Sequence, residues 1–286
     1  MGKAIYGLAD KAWQVVVGCD PRMPCAPRCW ARKTVARIVE CQRSTSPGRS
    51  EFFKIALTPD GKRWSGETVL DEAHLSDPLK WRKSALIATG FHGDIGRLGT
   101  DDMEKILRVA CSALRNGHRI MFLTKMPVEL RQQFTFAMNR IYGDGHWHPP
   151  DGITIGCSVM NQSEADRQRN AMAELAATGW STHVWHEPAI GPVNWQGWEF
   201  IKLLVVGGES GANARPFVDN WAYVSLDWCQ QHGIKFWMKQ FGANPVDSLG
   251  KMRGAMFLKS DRKGSMLKSL PPLLRMRELP EVLRGK

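Results

Sequence analysis

Cys19, Cys25 and Cys29 fall within eleven residues, spaced C-x5-C-x3-C, with Pro21, Pro24 and Pro27 between them. The prolines stiffen the segment. Thiolates this close in sequence converge readily on one metal centre. Three ligands rather than four leave one coordination position open, and a four-iron cluster held by three cysteines has one iron free for a small molecule. S-adenosylmethionine is the leading candidate for that molecule. Two other readings stay open. A structural zinc site normally shows two close ligand pairs, and no second Cys or His pair follows at finger-like spacing. Unligated cysteines are common in cores, but three on a proline-rich loop are unlike core residues. A disulfide knot calls for an even count, and the chain has seven cysteines. Of the others, Cys111 and Cys229 read as small buried residues, and Cys157 is given no role.

Apolar residues 13–17 lead into the loop and a helical pattern over 30–41 leads out, so the cysteines should follow a strand. Short β-rich runs alternate with helical patterns along the rest of the chain. Strands are predicted over 12–18, 85–89, 119–123, 153–157, 181–186, 201–206 and 234–238. Helices are predicted over 30–41, from an N-cap at Thr100, from Pro127, from Ser163, and over 217–232. In the first helix Trp30, Val35, Ile38 and Val39 form the expected apolar face, with Arg32, Lys33 and Arg37 elsewhere. Residues 42–83 break the rhythm and read as an insertion, with a loop at 44–48 and a short strand over 51–57. Seven βα-type steps predict an α/β fold with a parallel sheet, and favour a barrel or open barrel over a doubly wound sheet.

In such folds ligands bind at the C-terminal strand ends. Each predicted end is polar: the cysteines, then Thr89 to Asp94, Thr124-Lys125, Ser158 with Asn161-Gln162, His186-Glu187, Gly207 to Gly211, and Lys239-Gln240. Any one of these is an ordinary loop residue; polarity after every strand points to a ligand site. Gly207-Gly208 lets backbone approach a bound group, or simply makes a tight turn. The turn is neither a G-x-x-x-x-G-K-[ST] phosphate loop nor a G-x-G-x-x-G fingerprint. Twelve tryptophans are an unusually large number; core packing and base stacking are both open to them.

The 286 residues carry a formal charge of +11 and 43% hydrophobic residues. The charge is regional: residues 22–64 and 251–286 each carry +7, and the remainder is acidic. A basic block beside the cysteine loop reads as a solvated surface or as a track for a polyanion such as nucleic acid. No apolar run approaches the roughly 20 residues of a membrane span, and no signal segment is apparent. A cytoplasmic location is therefore expected.

Several ordered segments carry a resemblance. They are Gly18-Cys19 through Trp30-Ala31, Asp77-Pro78-Leu79-Lys80-Trp81-Arg82, Leu123-Thr124-Lys125, Ile155 to Val159 with Asn161-Gln162, Glu187-Pro188 with Gly191-Pro192-Val193, Val205 to Gly211 with Ala214-Arg215-Pro216, and Phe236 to Gly242. With these the chain resembles the phage Gp37/Gp68-type proteins, a radical-SAM-like family. That family usually shows C-x6-C-x2-C followed by Tyr; here the middle cysteine stands one place earlier and Trp30 replaces the Tyr. The resemblance implies a partial TIM-like (β/α) barrel of the radical SAM type over 1–244, and leaves 245–286 as a basic extension. It implies a [4Fe–4S] cluster on Cys19, Cys25 and Cys29 with S-adenosylmethionine on the open iron. Cofactor contacts are then expected from Thr89, His92, Asp94, Ser158, Asn161, Gly207, Gly208 and Glu209. Substrate would meet Lys125, Gln240, Arg32 and Arg37, with Glu187 and Lys239 moving protons. The implied activity is formation of a 5′-deoxyadenosyl radical that takes a hydrogen atom from a substrate. That substrate is expected to be a base or nucleotide of phage DNA, rearranged or otherwise modified, with a flavodoxin or ferredoxin as reductant. The alternative is a nucleic-acid-binding protein with a structural metal and no chemistry.

Overall fold

Short, fully buried apolar runs form the parallel strands, because a strand covered on both faces needs no alternation. The computed structural model describes residues 7–42, 47–145, 147–251, 261 and 263–284. Residues 44–46 of the expected 44–48 loop, and 252–260, 262 and 285–286 of the C-terminal basic block, lie outside them. The chain divides into two compact units, Lys11–His148 and Met1–Asp10 with Pro149–Lys286.

Lys11–His148 begins with β1 (Lys11–Trp13) and β2 (Val16–Val17), followed by α1 (Trp30–Gln42) and α2 (Pro47–Lys54). Then come β3 (Val69–Leu70), α3 (Glu72–Leu75), α4 (Asp77–Lys80), β4 (Leu86–Thr89), α5 (Thr100–Arg115), β5 (Arg119–Thr124) and α6 (Pro127–Tyr142). Strands β1, β4 and β5 are parallel, with Lys11 opposite Ile87 and Leu86 opposite Arg119. The single strand expected over 12–18 is split. Its second half leaves the parallel sheet, and Val16 and Val17 pair antiparallel with Leu70 and Val69. The segment expected as a strand over 51–57 is instead largely helix α2, opened by Pro47. Phe53 and Ala56, three residues apart, go into an apolar cluster with Val17, Ala31, Val35, Val39 and Trp64. The N-cap of α5 is Gly99, one place before the expected Thr100, whose hydroxyl donates to Gln133 Oε1 at 2.6 Å.

The second unit holds β6 (Ile153–Val159), α7 (Gln162–Ala177), β7 (Ser181–His186), β8 (Leu203–Gly207), β9 (Phe217–Val218), α8 (Asp219–Gln231), β10 (Lys235–Gln240) and β11 (Pro245–Val246). Strands β6, β7, β8 and β10 are parallel neighbours in that order, with Gly156 opposite His183, Trp185 opposite Val205, and Val205 opposite Trp237. β11 pairs with β9, and Trp237 forms an antiparallel bridge with Arg277. The protein is therefore α/β, with three parallel strands described in one unit and four in the other. The seven parallel strands expected are present, the first shortened to Lys11–Trp13 and the other six within a few residues of their predicted bounds. No helix among the described residues is long and apolar enough to cross a membrane.

Candidate cysteine site and strand-end polar network

Two glycines tie the cysteine loop to the loop that leaves β4. Gly18 and Gly93 form a parallel bridge, with Gly18 N donating to His92 O at 3.3 Å and Asp94 N donating to Gly18 O at 2.9 Å. Gly18 has φ +108°, and a Cβ there would stand 2.1 Å from Glu67 O; one at Gly93 would stand 2.6 Å from Gly18 O. Glycine is required at both positions for the backbones to meet.

From Cys19 onward the loop is held by Asp20, which is 5% exposed. Its carboxylate accepts from Arg22 N at 2.8 Å, Arg22 Nη2 at 2.7 Å and Arg97 Nη1 at 3.1 Å. The Arg22 side-chain hydrogen bond, the largest influence, brings the Asp20 carboxyl down to about 2. Cys25 and Cys29 bracket one 3-10 turn, Ala26–Arg28, as its N-cap and C-cap. Cys29 O then accepts from Lys33 N at 3.4 Å in the first turn of α1. All three cysteines are reduced thiols and half-buried, and Cys19 and Cys29 pack against the same apolar cluster. Burial first, then the Asp94 charge, then Cys25 and Cys29 push the Cys19 thiol well above its usual range. The three sulfurs thus share one electrostatic neighbourhood. A bound metal's positive charge reverses that preference, since it deprotonates a coordinating thiol.

Thr89 ends β4 with no exposure, and among the described residues its hydroxyl has no hydrogen-bond partner. Asp94 is a hub: its carboxylate accepts from the Thr124 hydroxyl, from Gly96 N at 3.0 Å and from Lys125 N at 2.8 Å. Burial, the dominant influence, pushes Asp94 up, while these three hydrogen bonds pull it down. The carboxylate therefore joins the ends of β4 and β5. Lys125 reaches the hub through its backbone. His92 packs edge-on against Trp30, with ring centroids 6.4 Å apart. Arg32 and Arg37 do not act together: Arg32 Nη1 donates to Gly61 O at 2.7 Å, while Arg37 lies on the exposed face of α1. Trp30, expected on the buried face, is 57% exposed. Five residues along a helix turn about 140°, so Trp30 and Val35 do not share a face; the buried row is Ala31, Val35, Val39.

In the second unit, Glu187 and Lys239 form an ion pair with side chains 18% and 9% exposed. Lys239 Nζ stands 5.3 Å from the centre of the Trp185 ring. A Cβ at Gly207 would lie 3.3 Å from Lys239 Cβ and 3.5 Å from Glu187 Cγ, so this glycine leaves room for the pair. Ser158 donates to Glu187 O at 2.8 Å, and Asn161 caps α7 by accepting from Glu164 N at 3.1 Å. Gly208 has a packing cause, since a Cβ there would stand 2.1 Å from Phe241 O. Glu209 is bound by Arg215 through three 2.8 Å contacts, from N, Nε and Nη2. Gln240 Nε2 donates to Gly208 O and Ser210 Oγ at 2.9 and 2.7 Å. The 207–211 turn is thus braced from within the protein.

Asp20, Arg97 and Trp185 contact the candidate residues, and residue pattern does not single them out. Asp20 was readable: an Asp two places before Arg22 in a tight loop invites a turn-forming carboxylate. Arg97 gives no local signal.

These features define an α/β protein with a three-thiol loop and a braced, polar set of strand ends. A family model described as "Protein of unknown function (DUF5131)" matches residues 6–269, and the chain belongs to that family. No curated protein and no solved structure matches it.

Proposed function

We propose that this is a radical S-adenosylmethionine enzyme of the Gp37/Gp68 type, built on a partial (β/α) barrel, with Cys19, Cys25 and Cys29 as the protein ligands of a [4Fe–4S] cluster. The observation that carries the reading is the cysteine loop itself. Three reduced thiols lie in one neighbourhood, two of them bracket a single 3-10 turn, and glycine contacts tie that loop to the end of β4. A single tetrahedral zinc ion would need sulfurs about 3.8 Å apart and a fourth ligand, given Zn–S distances of about 2.3 Å. Among the described residues no three His, Cys, Asp or Glu side chains are placed for one metal ion.

When bound, such a cluster would supply one electron to the sulfonium, breaking its C5′–S bond to release methionine and a 5′-deoxyadenosyl radical able to take hydrogen from a substrate. The chain's own residues have distinct tasks. Thr89, a buried hydroxyl without a partner among the described residues, is suited to a ribose or amino group. His92 borders the loop through Trp30. Asp94 fixes the ends of β4 and β5. Glu187 and Lys239 hold a proton between a carboxylate and an ammonium beside the Trp185 ring, and are the candidates for proton transfer to substrate. A nucleobase or nucleotide of DNA is the proposed substrate, on the strength of the basic, exposed surface of Arg22, Arg28, Lys33 and Arg37 around the cysteines. A flavodoxin or ferredoxin is the proposed electron donor.

The test is formation of 5′-deoxyadenosine from S-adenosylmethionine by anaerobically reconstituted protein with dithionite. Cys25→Ala should abolish it while circular dichroism stays unchanged. Full activity in that variant sinks the proposal. Stoichiometric zinc with no nucleoside product would leave a nucleic-acid-binding protein with a structural metal.

A further inference from the structure

The apolar side of α1 is Ala31, Val35 and Val39, all buried. The opposite side carries Trp30, Lys33 and Arg37, all exposed, at positions i, i+3 and i+7. Such residues line one face of a helix over two turns, about 10 Å. Trp30 is the aromatic member. It is 57% exposed and held on one edge by the His92 ring. Arg28, in the turn before the helix, and Lys62 and Arg63, in the segment after α2, are exposed cations of the same unit. Tryptophan has a larger apolar surface than any other side chain, and leaving most of it in water at the start of a helix wastes that surface unless something covers it.

We infer that this face of α1 is a binding track for single-stranded DNA: one unpaired base stacks on Trp30, and Lys33 and Arg37 contact the neighbouring phosphates. The chemistry selects this occupant. Every base offers a π-face to an exposed indole, and base stacking on an aromatic side chain is sequence-tolerant. The cations next to it match a phosphate chain and repel a cationic partner. In a duplex the bases already stack on one another, so the indole gains a base only where the strand is open. The inference shares the nucleic-acid part of the proposed function and does not depend on the cluster's chemistry.

The experiment is fluorescence anisotropy with a labelled twelve-residue oligothymidylate, and with the same strand in a duplex, using the full-length reconstituted protein. Trp30→Ala should weaken single-strand binding about tenfold or more, while Trp30→Phe should weaken it less than about threefold. The duplex should bind at least about tenfold more weakly than the single strand to the wild type. Lys33→Gln with Arg37→Gln should lower the slope of log affinity against log salt by about 1.4, near 0.7 for each phosphate no longer neutralised. Circular dichroism and thermal melting of each variant confirm folding, which is expected because all three side chains are exposed. Single-strand affinity of Trp30→Ala within twofold of wild type overturns the inference, as does equal binding of the duplex or an unchanged salt slope. If the predicted pattern appears with no 5′-deoxyadenosine formed in the presence of S-adenosylmethionine, the track stands and the enzymatic reading falls by itself.

Discussion

His183 and His186 on β7 make the second unit sensitive to mild acid. His183 is 1% exposed, neither ring nitrogen has a partner among the described residues, and the ring fills the space a Cβ would take at Gly156, 2.1 Å from Nε2. Burial brings His183 down to about 3 and, as the largest influence, His186 down to about 4, from 6.5. Unfolded, both rings take up a proton as the pH falls below about 6.5; folded, they stay neutral. Stability is therefore full above pH 7 and lost as the pH falls through 6.5 toward 4. Between pH 7.5 and 5.0 each histidine removes about 2 kcal/mol, since one pH unit corresponds to about 1.36 kcal/mol once the unfolded form is fully protonated. Together they remove about 4 kcal/mol, a large share of the 5–15 kcal/mol typical of a folded domain. Asp94, in the other unit, is pushed up by burial and works in the opposite sense. Comparison with His183→Phe isolates the histidine. Urea titrations followed by far-ultraviolet circular dichroism should show the midpoint falling by more than about 1 M from pH 7.5 to 5.0. In His183→Phe about half of that fall should disappear. That variant should also be more stable than wild type at pH 5.0, because an aromatic ring of similar size replaces unbonded polar atoms. A midpoint that is flat over this range, or a His183→Phe variant with the full fall, would refute the reasoning.

Other outcomes follow from single contacts. Gly208→Ala sets a Cβ against Phe241 O and should cost about 1–3 kcal/mol of stability, measured by thermal melting. Arg215→Ala releases Glu209 from its three contacts; it should cost about 1–2 kcal/mol and raise proteolytic cleavage within 207–215. Gly18→Ala should lower the iron retained per chain after reconstitution more than Gly61→Ala, whose added Cβ meets only Ala36 Cβ at 3.8 Å. Glu187→Gln should keep cofactor cleavage but reduce substrate turnover at least about tenfold, if the pair moves a proton to substrate.

Much of this architecture is legible in residue pattern. The pattern places Ser181–His186 at its true bounds and the other parallel strands within a few residues of theirs. Short apolar runs bounded by glycine, proline or polar residues have few other uses. Pattern fails where tertiary pairing decides the outcome. Val16 and Val17 look like a continuation of β1, and only the partner segment Val69–Leu70 draws them into a separate antiparallel pair. Phe52, Phe53 and Ile55 favour a strand by propensity, yet Pro47 and the burial of Phe53 with Ala56 make most of that segment helical. Among candidate site residues, the three cysteines stand out by spacing alone. The contacts of Gly208 and Glu209 do not, because a glycine or acid in a strand-end turn gives no local sign of the Phe241 O and Arg215 that it meets. Trp30, expected on the apolar face of α1, lies about 140° from the middle of the buried row Ala31, Val35, Val39.

The most direct test of the account is iron and sulfide analysis with electron paramagnetic resonance of the anaerobically reconstituted, reduced protein, before and after addition of S-adenosylmethionine. The account predicts about four iron and four sulfide per chain, with a reduced-cluster signal that changes on adding S-adenosylmethionine. The signal should vanish in Cys19→Ala, Cys25→Ala and Cys29→Ala and persist in Cys41→Ala and Cys111→Ala. A signal indifferent to S-adenosylmethionine, or iron retained when all three loop cysteines are replaced, would contradict it.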